Sequence, residues 1–151
     1  MKPAPHTLPI EADFLDPRSQ DPDERYALRM FLGKTAEQAE AMFRRDFLGC
    51  QEDLTHMGAV AFRFYLRPAI AYLLSGDASG DADAASSFCG LLKLRLAHDP
   101  ESLLPVAPIV LDAIDKILDR FDRFECTPDI YGDVPARYRA VARRLAEGRG
   151  D

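Results

Sequence analysis

Apolar residues recur along the chain at helical spacing, in blocks cut by glycine, proline and capping residues. Ala39, Met42, Phe43 and Phe47 stand at i, i+3, i+4 and i+8, one stripe of a helix. Val110, Ile114, Ile117, Leu118 and Phe121 form a second stripe, and Tyr138, Val141, Ala142 and Leu145 a third. No segment reads as a strand.

The boundaries follow from local chemistry. Asp21 can cap, Pro22 suits the first helical position, and Glu24 stands where a capping box needs it, so a helix is predicted to about Leu32 with Gly33 as its stop. Thr35 caps the next, with Gln38 in the reciprocal position and Gly49 as its end. From about Cys50 to Leu66 a broad apolar face (Leu54, Met57, Ala61, Phe64, Tyr65, widened by Val60, Phe62 and Leu66) predicts a central helix. Pro68 either kinks it or begins a short helix through Leu74. Ser75 to Asp83 is a loop by composition, and Asp81 or Asp83 caps a helix to about Ala97. Asp99 and Pro100 repeat the cap-plus-proline signal, and Pro105 and Pro108 confine residues 100–107 to short turns. A long helix over about 108–125 follows, then a loop holding Pro128, Tyr131 and Gly132, then a last helix from about Pro135 to Glu147 stopped by Gly148. Gly58 and Gly90, inside predicted helices, imply close helix crossings, because glycine there costs about 1 kcal/mol against alanine. Residues 1–20 carry four prolines and no helical period, and read as an extended arm that Ile10, Phe14 and Leu15 pin to the body. The expected fold is all-α: a compact orthogonal bundle of six to seven helices, with an N-terminal arm over 1–20 and a single helical domain over 21–148.

Composition narrows the functional classes. A chain of 151 residues can bury a core without metal or disulfide support. Cys50, Cys89 and Cys126 are odd in number and widely spaced, which fits buried thiols in a reducing compartment and not a disulfide framework. The net charge of −6 argues against nucleic acid, whose binding needs clustered cations. No apolar run is long enough to span a bilayer, and the first residues lack a signal-peptide core, so the cytoplasm is expected.

Several motifs come close to known chemistry. Leu32 to Thr35 looks like the end of a phosphate-binding loop, but Leu28 stands where that loop needs a glycine, and a helix precedes it. Counted from Asp77, a calcium loop would need glycine and glutamate where Ala82 and Phe88 stand. His6 lies in the arm and His98 at a helix end, and Asp53 with His56 makes only one acid-x-x-His pair. No metal site, no cofactor and no catalytic signature is expected, and the chain is not read as an enzyme.

Two surfaces remain. On the helix of residues 108–125, Asp112, Asp115, Asp119 and Asp122 line one flank, and Lys116, Arg120 and Arg123 line the other. Asp112–Lys116 and Asp119–Arg123 are favourable i,i+4 pairs. The acidity continues through Glu125, Asp129 and Asp133 around Tyr131, which reads either as a solvated face or as a docking surface for a basic protein partner. At about 100° per residue, Glu52, His56, Arg63 and Arg67 form a polar stripe on the central helix. That stripe is its solvent edge, or buries an arginine against an acid of the 108–125 helix, or, with Asp53, lines a pocket for a small ligand or reaction. A structural or scaffold subunit is the third possibility, and the oligomeric state is open.

The run from Phe31 to Glu40, followed by Gln51 to Leu54 and Met57 to Tyr65, resembles small uncharacterised bacterial helical proteins over about residues 30–75. The resemblance implies no activity and transfers no functional residue. In general character, small acidic helical proteins of this kind are similar to immunity proteins that neutralise bacterial toxins. The expectation drawn from class alone is therefore a non-catalytic protein-binding module of immunity type.

Overall fold

In the computed structural model, which describes residues 7–150, the chain is all-α, with no strand among the described residues. It divides into two compact units, residues 1–69 and 70–151. His6 lies outside the described residues.

The first unit opens with a one-turn helix α1 (Glu11–Phe14), then α2 (Pro22–Phe31), α3 (Ala36–Arg45), α4 (Phe47–Thr55) and the start of α5 (Ala59–Leu74). The segment before α2 is thus not wholly extended. Phe14 and Leu15 are buried, whereas Ile10, expected to pin it, is 64% exposed. Asp21 caps α2 by accepting from the N–H groups of Asp23 and Glu24. Glu24 does not close the expected box, because its carboxylate accepts from the Ser19 hydroxyl at 2.5 Å. Gly33 adopts φ +82° after α2, a conformation that costs a side chain energy, and Thr35 with Gln38 forms the capping box of α3.

Two expected continuities fail here. The helix predicted to reach Gly49 ends at Arg45, because the Asp46 side chain takes the N–H of Gly49 and starts α4. Gly49 is therefore not a stop. The central helix predicted from Cys50 to Leu66 is broken at residues 56–58, where the N–H groups of His56 and Met57 bond three residues back. Gly58 lies in that break and gives its N–H to the Phe14 carbonyl at 2.7 Å. A Cβ there would stand 2.6 Å from the Asp13 carbonyl oxygen. The predicted close approach exists, to the backbone at the end of the one-turn helix α1, but Gly58 lies in a break and not inside a helix.

Aromatic rings fill this unit. Phe31 lies 4.9 Å from Tyr65 and 5.9 Å from Phe43, which in turn lies 5.4 Å from Phe47. All four are buried, each worth roughly 1.5–3 kcal/mol by removal from water. The Tyr65 hydroxyl stands 2.8 Å from the carbonyls of both Phe31 and Lys34, tying α5 to the Gly33 turn. The phosphate-loop lookalike is thus a structural turn between helices.

The second unit holds the end of α5, α6 (Ala82–His98), α7 (Pro100–Leu103), α8 (Ala107–Asp119), α9 (Pro128–Tyr131) and α10 (Val134–Gly150), with 3-10 turns at 76–78, 104–106 and 121–124. α5 runs through Pro68 without ending. Asp81 caps α6 and also accepts from the Tyr72 hydroxyl at 2.6 Å. Asp99 does not cap α7 with its side chain; its carboxylate pairs with the buried Arg95 at 3.2 Å. α10 packs on α6 and α8, and the buried Tyr138 donates to the Ala85 carbonyl at 2.5 Å. Gly148 lies inside α10 and does not stop it. A Cβ at Gly90 would meet nothing within 4 Å, so no close crossing explains that glycine.

Candidate functional site

α8 owes its polarity pattern to its seat on α10. Val110, Ala113, Ile114 and Ile117 are buried, which leaves Asp112, Asp115, Lys116 and Asp119 facing solvent. The helix ends at Asp119, short of the predicted Glu125. A 3-10 turn over Phe121–Phe124 follows, and it swings Phe124 to full burial while Phe121 is only half-buried. Asp122 therefore does not continue the flank of α8 but lies on this turn.

The turn also sets the local charge. Arg123, the expected partner of Asp119, points elsewhere. Its guanidinium donates to the carbonyls of Leu73 and, at 3.0 Å, Ser75, and covers the Phe124 ring at 4.4 Å from the centroid. Burial and the nearby Arg120 lower its proton affinity, but the Arg123 guanidinium stays charged at physiological pH. Lys116 does meet Asp112, at 2.9 Å, as the spacing predicts.

The remaining acids are exposed, with distinct local duties. Glu125 sits in the left-handed region at φ 57° and closes the turn. Asp129 lies in the first turn of α9. Asp133 accepts from the Ala136 N–H at 3.1 Å and so starts α10. Tyr131 is not a free loop side chain: its hydroxyl donates to Asp83 at 2.7 Å. That bond, which holds the phenol proton, and the nearby negative charge raise its pKa.

The second candidate, on the first unit, splits in two. Glu52 and Asp53 lie on α4 and His56 just after it, while Arg63 and Arg67 lie on α5 beyond the break. The single polar stripe requires one continuous helix and does not exist. His56 Nε2 stands 3.7 Å from Glu52 and 3.9 Å from Asp23, an acid of α2 that the sequence pattern did not bring into this group. Asp53 is 7% exposed. Burial first, then the carboxylates of Glu52, Asp46 and Asp23, push its carboxyl up to about 6 against the opposing pull of His56. Arg63 is half-buried and Arg67 exposed.

Among the described residues, no group of three or more His, Cys, Asp or Glu side chains is placed to hold a metal ion. Burial pushes the thiols of Cys50 and Cys89 up to about 12 and 11, so both stay protonated and unreactive near neutral pH. No described helix is long and apolar enough to cross a membrane. No family model matches the chain, and neither a curated protein nor a solved structure matches it.

Proposed function

We propose that the chain is a non-catalytic protein-binding module whose acidic face, from Asp112 to Asp133, masks a basic site on a protein partner. The observation that carries this reading is the withdrawal of Arg123. Between residues 112 and 133 stand seven carboxylates and three cations. One cation is spent on backbone carbonyls, and Lys116 is engaged by Asp112. Asp115, Asp119, Asp122, Glu125 and Asp129 are left exposed, with no ion pair among the described residues. Such a surface steers a basic partner over roughly one Debye length, about 8 Å at physiological salt. The class we favour for the chain is an immunity protein, and the partner is then a bacterial toxin whose basic active site the acidic face covers. The test is association with that partner at low and high salt, with Asp115, Asp119 and Asp122 reversed to lysine in parallel. Binding indifferent to both salt and reversal rejects the reading.

A second reading has its own observation, the raised carboxyl of Asp53 beside His56. Strongly shifted groups concentrate at ligand and reaction sites. A small-ligand site there would lose affinity in Asp53→Asn while the acidic face stayed intact.

A further inference from the structure

The strongest feature outside these two surfaces is a groove between α6 and α10, lined by Lys93, Leu96, Arg137, Ala140, Val141 and Arg144. The four α10 positions are i, i+3, i+4 and i+7, one face of the helix. The apolar floor comes from the near-buried Leu96 and Val141, and three cations stand around it. Among the described residues, Lys93, Arg137 and Arg144 have no carboxylate within ion-pair distance. Three cations without an ion pair thus border one apolar groove in a chain of net charge −6.

We infer that this groove docks an acidic segment of a second protein, which inserts one apolar side chain between carboxylates that meet Lys93, Arg137 and Arg144. The size of the groove selects this occupant. Its cavity volume of about 90 Å³ equals that of roughly three waters at about 30 Å³ each, enough for one leucine-sized side chain. Cofactor and small-ligand sites run to roughly 300–1,000 Å³. The charge selects it as well: the groove attracts acid, whereas the face from Asp112 to Asp133 attracts base. The site is therefore separate from the one assigned above and does not depend on it.

The probe is a fluorescein-labelled peptide of glutamates around one leucine, titrated by anisotropy into the full chain. A control peptide carries alanine in place of the leucine. Saturable binding of the leucine peptide, weakened at least about ten-fold by the alanine control, supports the site. Ala140→Phe fills the groove yet keeps every cation, and it abolishes binding. Arg137→Glu with Arg144→Glu does the same, with circular dichroism confirming that both variants fold. Equal binding of the two peptides, or binding untouched by Ala140→Phe, overturns the proposal. A dimer in sedimentation equilibrium that Arg144→Glu disperses overturns it in favour of a second copy. Capture by phosphatidylglycerol vesicles without peptide binding overturns it in favour of an anionic membrane.

Discussion

Arg123 donates from its Nη1 to the carbonyl oxygen of Ser75, 48 residues earlier, at 3.0 Å. The carbonyls at the end of α5 have no further helical turn to bond to, and a guanidinium fork satisfies two of them at once. One side chain thereby closes a helix and leaves Asp119 without its helical partner.

Arg123→Ala should cost about 1–2 kcal/mol in denaturant unfolding, the scale of charged hydrogen bonds lost at a partly exposed site. Arg123→Lys should recover only part of that, since an ammonium cannot reproduce the fork. Asp119→Asn should leave stability within about 0.5 kcal/mol, because no Asp119–Arg123 pair exists to lose. A loss in Asp119→Asn matching that in Arg123→Ala would restore the i,i+4 pair.

Asp53 gives the chain a specific pH dependence. Its carboxyl is held at about 6 when folded, above its ordinary value of 3.8. The folded state therefore binds more protons between those values, and this contribution to stability is full below about pH 4 and lost as pH rises through 6. Asp53→Asn should remove the decline. It should gain on the order of 1–2 kcal/mol over the parent at pH 7, after allowance for solvent screening, and nothing at pH 4. Unfolding curves at the two pH values check this; a variant less stable than the parent at pH 7 contradicts it.

Two glycines should respond in opposite directions. In Gly58→Ala the new carbon meets backbone oxygens that cannot move aside, at 2.6 Å and 3.0 Å, and loses about 2 kcal/mol or more. In Gly90→Ala it enters open space inside α6 and should gain about 0.5–1 kcal/mol. Thermal midpoints of the two variants would show the split.

Tyr131 should titrate as a phenol tied to a carboxylate. Its pKa, raised mainly by the hydrogen bond to Asp83, should fall toward the ordinary tyrosine value in Asp83→Asn. Ultraviolet difference titration reads this directly, and an unchanged midpoint would mean that the bond does not form in solution.

Local chemistry made much of this fold legible in the sequence. Asp21, Thr35 and Asp81 act as the caps that their neighbours imply, because a cap depends on residues only two or three positions away. Periodicity correctly placed Val110, Ile114 and Ile117, and Tyr138, Val141 and Leu145, in the core. Two of the failures involve distant partners. Nothing near Gly58 reveals that the Phe14 carbonyl will occupy the place where a helix would have continued. Nothing near Arg123 announces the end of α5. Asp46 is a local signal, since it can cap the N–H of Gly49, but the apolar stripe from Phe43 to Phe47 runs unbroken across it. Both phenylalanines are buried across the break, so the pattern was right about burial and wrong about continuity. The exposure of Asp112, Asp115 and Asp119 follows from the seat of α8. The missing element was the fate of the cations, both the one withdrawn at Arg123 and the three gathered at the α6–α10 groove.

We propose that this acidic face binds a basic protein. Its most direct test is affinity capture from cells of the encoding organism, with the parent chain and the Asp115→Lys, Asp119→Lys, Asp122→Lys variant as parallel baits, followed by titration of the purified partner. The expected result is one basic protein held by the parent at low salt, released as salt rises, and bound at least about ten-fold more weakly by the charge-reversed chain. A partner held equally by both baits at all salt concentrations would contradict it.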